Sequence, residues 1–89
     1  MMSKHAIYSG KVQGVGFRRT VQKLSTGFRV VGYVRNLAGG DVEVWAEGDL
    51  EEVDAFLAKI TEVMSTNVAS CNTVEKPPLR LIDFQILYK

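Results

Sequence analysis

The chain has 89 residues, 46 % hydrophobic and 24 % charged, the balance of one folded domain with a modest core and not of a disordered segment. Eleven Lys and Arg stand against ten Asp and Glu, a formal net charge of +1, so no broad basic surface serves a nucleic-acid backbone or an acidic membrane, and any anion must be held locally. One cysteine and one histidine exclude an internal disulfide and fall short of an all-protein zinc site.

Residues 5–12, HAIYSGKV, mix β-branched and aromatic residues with polar ones and predict a first strand. The apolar positions Phe17, Val21, Leu24 and Phe28 then recur at spacings of four, three and four, one face of a helix that Gly27 is expected to end. Residues 29–36, RVVGYVRN, predict a second strand. The turn LAGGD joins it as a hairpin to a third, VEVWAE, in which Val42, Val44 and Ala46 alternate with Glu43, Trp45 and Glu47.

Asp49 followed by Glu52 has the spacing of a capping box, and Leu50, Val53, Phe56, Leu57 and Ile60 form an apolar stripe behind it. The acids at this helix start match the helix dipole and read as structural, not as a metal site. Residues 67–75, NVASCNTVE, predict a fourth strand; in it Cys71 is expected to be a small packing residue. Lys76, Pro77 and Pro78 are expected to be loop. A last strand carries Ile82, Phe84, Ile86 and Tyr88 on one side.

Right-handed crossovers in this order place both helices on one sheet face, an α+β, ferredoxin-like βαββαβ two-layer sandwich with an antiparallel sheet and a short fifth strand. A single domain over residues 1–89 is expected. The start, MMSKHAIYSG, lacks a secretory apolar stretch, no run reaches membrane-spanning length, and nothing demands more than a monomer; a cytoplasmic monomer is expected.

Between the first strand and helix the chain reads VQGVGFRRT. Arginines at a helix start are locally unfavourable, because that end carries partial positive charge and unpaired N–H groups. Gly14 and Gly16 can take conformations barred to other residues, so the amides of Gln13, Gly14, Val15, Gly16 and Phe17 can converge on one anion, with the Arg18 fork closing the cradle. Neither GxGxxG nor a Gly-Lys-Ser/Thr ending is present, which sets the loop apart from nucleotide fingerprints.

No Cys, Ser, Thr, Asp or Glu lies between Val12 and Arg18, so the cradle holds no covalent nucleophile, and water must attack any phosphate directly. Asn36, at the far end of the second strand, can orient that water without acting as an ordinary base. Such a site suits a phosphoryl transfer whose leaving group departs unprotonated, and acyl phosphates meet that condition.

GKVQGVGFRRT together with GYVRNLAGGDVEVWAEG closely resembles acylphosphatase, over roughly residues 5–60. The resemblance implies a small hydrolase that cleaves carboxyl-phosphate bonds of a small-molecule acyl phosphate without a metal or other cofactor, on a ferredoxin-like fold with a five-stranded antiparallel sheet. It implies that Arg18 binds the phosphate, that Asn36 orients the water, and that Arg19 faces solvent. The stretch ITEVMSTNVA departs from the Gly-Pro that many members carry after the second helix.

Three other readings compete. An RNA-binding module of the same element order needs stacking aromatics that AIYSGK and VEVWAE do not supply, and Trp45 and Tyr8 are expected to cover the sheet. A non-catalytic anion-binding domain would explain Arg18 equally well and is separated by turnover. Chemistry on carbamoyl phosphate, as in the related domain of hydrogenase-maturation enzymes, is disfavoured by the free-standing length. His5 is expected at the surface or a strand edge.

Overall fold

The computed structural model describes residues 1–88, so the last residue of the expected single domain lies outside the described residues. Its elements are β1 (Met2–Gly10), α1 (Phe17–Ser25), β2 (Val30–Asn36), β3 (Val42–Gly48), α2 (Leu50–Val63), β4 (Val68–Lys76) and β5 (Phe84–Leu87). They form one five-stranded sheet in the order β4-β1-β3-β2-β5.

Register explains the two layers. Ala6 and Tyr8 of β1 lie opposite Val44 and Val42 of β3, and Val34 of β2 lies opposite Val44. Alternation therefore turns all of these to one face. There they join Phe17 and Val21 of α1 and Val53, Phe56 and Ile60 of α2 in a single buried cluster. Phe56 ties its parts together, with ring centroids 5.7 Å from Phe28 and 5.4 Å from Phe84. The two-helix, ferredoxin-like layering follows the sequence pattern.

Four strands pair antiparallel, but β5 runs parallel to β2, so the sheet is mixed and the expectation of a wholly antiparallel one is corrected. The reason is where β4 ends. Lys76 pairs with Ser3, at the end of the sheet where β2 begins, and residues 77–83 cross that end to start β5 beside Gly32. A chain that crosses without turning back must then run along β2 in its own direction.

Other boundaries shift. Met2 already pairs with Gly48, so β1 begins earlier and ends at Gly10. Lys76 closes β4 instead of opening the loop. Ile82 lies in the crossing segment, 92 % exposed, and β5 keeps only four residues. The capping box does not form: Asp49 makes no side-chain cap bond, and Glu52 Oε1 instead accepts from the main-chain N–H of Arg29 at 2.7 Å.

On the face away from the helices, Trp45 stacks on Tyr33 with centroids 6.2 Å apart, while Tyr8 is buried on the opposite, helix side against Phe17. His5 sits in an interior strand and hydrogen-bonds Glu43 at 2.5 Å, which also accepts from Arg35 Nε. Cys71 is half-buried against the core. No helix among the described residues is long and apolar enough to cross a membrane.

Candidate active site

The loop after β1 is shaped by its glycines. Gly14 and Gly16 hold φ of 75° and 79°, left-handed backbone that a side chain disfavours. A Cβ at either position would meet open space, so the requirement is conformational, not steric. Gly16 is the residue that caps α1, and no side chain caps that end. Among the described residues, no main-chain N–H from Gln13 to Arg18 has a partner; the first paired amide is Thr20, donating to the Gly16 carbonyl at 3.0 Å. A helix start whose N–H groups have no partner is suited to receive an anion.

Packing fixes the loop's position. Phe17, 2 % exposed, stands 5.3 Å from the Tyr8 ring. The Gln13 side chain donates to the carbonyls of Leu37 and Asp41, both at 2.8 Å. Gln13 thus ties the loop to the hairpin that carries Asn36.

Arg18, Asn36, Gly14, Gly16 and Phe17 line one cleft of about 250 Å³. Val15 and Gln13 do not line it; Val15 is 45 % exposed, and the Gln13 side chain faces the hairpin. Arg18 Nη1 donates to the Leu87 carbonyl at 3.4 Å, and its guanidinium lies 4.9 Å from the centre of the Tyr88 ring. That stacking is of cation–π type and engages the face of the guanidinium, so the in-plane N–H donors not turned to Leu87 remain for oxygen ligands.

Asn36 Oδ1 is shielded from solvent and has no hydrogen-bond partner among the described residues. A buried carbonyl without a donor carries a cost of about 1–3 kcal/mol, so it marks where a donor is to be received.

Ile86 and Tyr88 complete the cleft together with Val12 and Arg19. The sequence placed Ile86 and Tyr88 on one strand side but not in the site; alternation past Phe84, once that residue is known to face α1, is the signal that finds them. Arg19, expected to face solvent, is exposed yet stands on the rim. His5 is not among the lining residues. The lining holds two cations and two polar side chains, and no carboxylate, imidazole or thiol. Among the described residues, no group of three or more His, Cys, Asp or Glu could hold a metal.

The family model described as Acylphosphatase matches residues 4–86. The chain is 39 % identical over 83 residues to an acylphosphatase of Treponema denticola, covering 92 % of this chain and 88 % of that one. An acylphosphatase of Methanospirillum hungatei is 47 % identical over 55 residues, 62 % of this chain, and the chain spans only 60 % of that relative's length. The crystal structure of acylphosphatase from Bacillus subtilis superposes with a TM-score of 0.86 at 30 % identity, covering 99 % of this chain and 100 % of that one.

Proposed function

The chain belongs to the acylphosphatase family, and from that premise we propose that it hydrolyses small acyl phosphates to a carboxylate and inorganic phosphate by direct attack of water on phosphorus. Arg18 holds two phosphoryl oxygens through its fork, and the loop amides of Gly14, Gly16 and Phe17, which line the cleft, take the rest of the charge. The Asn36 carboxamide holds the attacking water and aims its lone pair at phosphorus. The new bond is water oxygen to phosphorus. The bond to the acyl oxygen breaks, and its electron pair leaves with the carboxylate, which needs no proton. The attacking water gives up its proton to a phosphoryl oxygen or to bulk water once the P–O bond has formed.

The observation that carries this reading is Asn36 in the same cleft as the Arg18 guanidinium, with no carboxylate, imidazole or thiol in the lining. A loose phosphoryl transition state asks for positioning and charge, and this lining offers those two things. Metal-independent action is part of the proposal, supported by a lining of amides and guanidinium in place of carboxylate or imidazole donors. So is action as a single-domain monomer. A cytoplasmic setting is included, which the half-buried free thiol of Cys71 suits.

Hydrolysis of benzoyl phosphate by the purified protein with EDTA tests the reading. Turnover is expected in the wild type, with a loss of about a hundredfold or more in Arg18→Lys, because a point charge cannot replace the fork. A folded wild type that binds phosphate without turning over the substrate would leave an anion-binding domain instead.

A further inference from the structure

The cleft does not stop at Arg19. A second groove, about 440 Å³, runs beside it along α1 and is lined by Arg19, Gln22, Lys23, Thr26, Val30 and Phe84, with Arg19 common to both. We propose that Arg19 and Lys23 form a second anion subsite, so that the preferred substrates are acyl phosphates whose acyl part carries a further negative charge. This rests on the acyl phosphate reading above and specifies its substrate class.

Charge placement is the first argument. α1 carries Arg18, Arg19 and Lys23 and no acidic residue, although the whole chain has a net charge of only +1. Neither Arg19 nor Lys23 forms an ion pair among the described residues. They stand four residues apart on one helix face, with Cβ atoms about 6 Å apart, a like-charge spacing that weakens a helix. Lys23, in the last turn, is at least favoured by the helix dipole; Arg19, in the first, is opposed by it. Helix stability therefore does not account for Arg19.

Geometry is the second. Phe84, Ile86 and Tyr88 alternate along the final strand and line the two grooves in that order, Phe84 in the second and the other two in the cleft. Strand rise puts Phe84 about 7 Å from Ile86. Gln22 Nε2 donates to the Phe84 carbonyl at 3.5 Å, joining wall to floor. An acyl group leaving the cradle past Arg19 thus crosses an apolar floor under a cationic wall. A carboxylate or phosphate borne on that group would reach Arg19 first and Lys23 beyond it.

The test compares benzoyl phosphate with 4-carboxybenzoyl phosphate, rigid compounds that differ by one distal carboxylate, at low ionic strength. The wild type is expected to favour the carboxylated compound about fivefold in kcat/KM, through KM, the size of a few exposed charge contacts. Lys23→Gln should reduce that preference and the Arg19→Gln/Lys23→Gln pair should remove it, with benzoyl phosphate turnover by Lys23→Gln unchanged. Equal kcat/KM for the two compounds in the wild type, or a preference that survives the double substitution, overturns the subsite while leaving the hydrolase reading intact. No turnover of either compound overturns the hydrolase reading and the subsite with it.

Discussion

Asn36 closes β2, and that position decides what its amide can do. The residue lies opposite Val42 on the helix-facing side of the sheet, at the end where the glycine loop emerges, with its carbonyl oxygen buried and unpaired among the described residues. Replacing it with alanine removes an acceptor without opening the core. The variant is expected to bind inorganic phosphate nearly as wild type does, and to lose about a hundredfold in kcat; titration calorimetry beside steady-state kinetics separates the two effects. That Arg18 and Asn36 share one cleft was legible in the sequence, from an arginine at a positive helix end and from a strand-end amide that the element order brings beside the first loop. The brace behind Arg18 was not legible. A contact to the Leu87 carbonyl leaves no mark on residue type, and the Tyr88 ring meets the guanidinium only after the chain has crossed the sheet.

That crossing depends on one buried carboxylate. Glu47, fully buried in β3, accepts hydrogen bonds from the main-chain N–H groups of Leu79, Arg80 and Leu81, from Ser3 Oγ at 3.2 Å and from Trp45 Nε1 at 3.0 Å. It thereby pins the 77–83 segment and holds Arg80 at a φ of 62°, left-handed backbone unusual outside glycine. Since β5 begins where this segment ends, Glu47 also sets the position of Ile86 and Tyr88. Glu47→Gln keeps the shape but turns an amide donor toward donors. It is expected to cost about 3 kcal/mol in urea unfolding and to raise KM more than it lowers kcat. An unchanged midpoint would mean that the segment is held by something else.

The elements themselves were read from period and turn chemistry, which is why β2, β3 and both helix starts fall close to where the sequence put them. Strand alternation, however, is silent about what covers a face. Glu43 and Glu47 alternate like solvent-facing residues and are buried nevertheless. The failed capping box has a similar origin: Glu52 has the right spacing, but tertiary structure brings it the Arg29 amide instead.

At the scale of the whole molecule, these carboxylates and the groups beneath α2 set the response to pH. Burial works to raise the pKa of Glu43 and of Glu47. It is outweighed by hydrogen bonds from His5 and Arg35 at Glu43, and from the Leu81 amide, Trp45, the Leu79 amide and Ser3 at Glu47, so both lie below the ordinary value of 4.5. Below about 4.5 the unfolded chain therefore takes up protons that the folded one refuses, and stability falls as pH drops from there through the folded values. Burial raises Cys71 above its ordinary 9.0 and Tyr8 above its ordinary 10.0. The unfolded chain deprotonates first, and stability declines again as pH rises past 9. Thermal unfolding should show a plateau between about pH 5 and 8 with a shoulder on each side, and Glu43→Gln should flatten part of the acid shoulder. A midpoint that holds steady down to pH 3 would show that neither carboxylate is linked to folding.

The measurement that bears most directly on the proposed chemistry is hydrolysis of benzoyl phosphate by the wild-type protein in water enriched in oxygen-18. Attack of an Asn36-held water on a phosphorus held by Arg18 puts the label in inorganic phosphate and leaves benzoate unlabelled. Label in the benzoate carboxylate would mean attack at the acyl carbon, which contradicts the roles given to both residues.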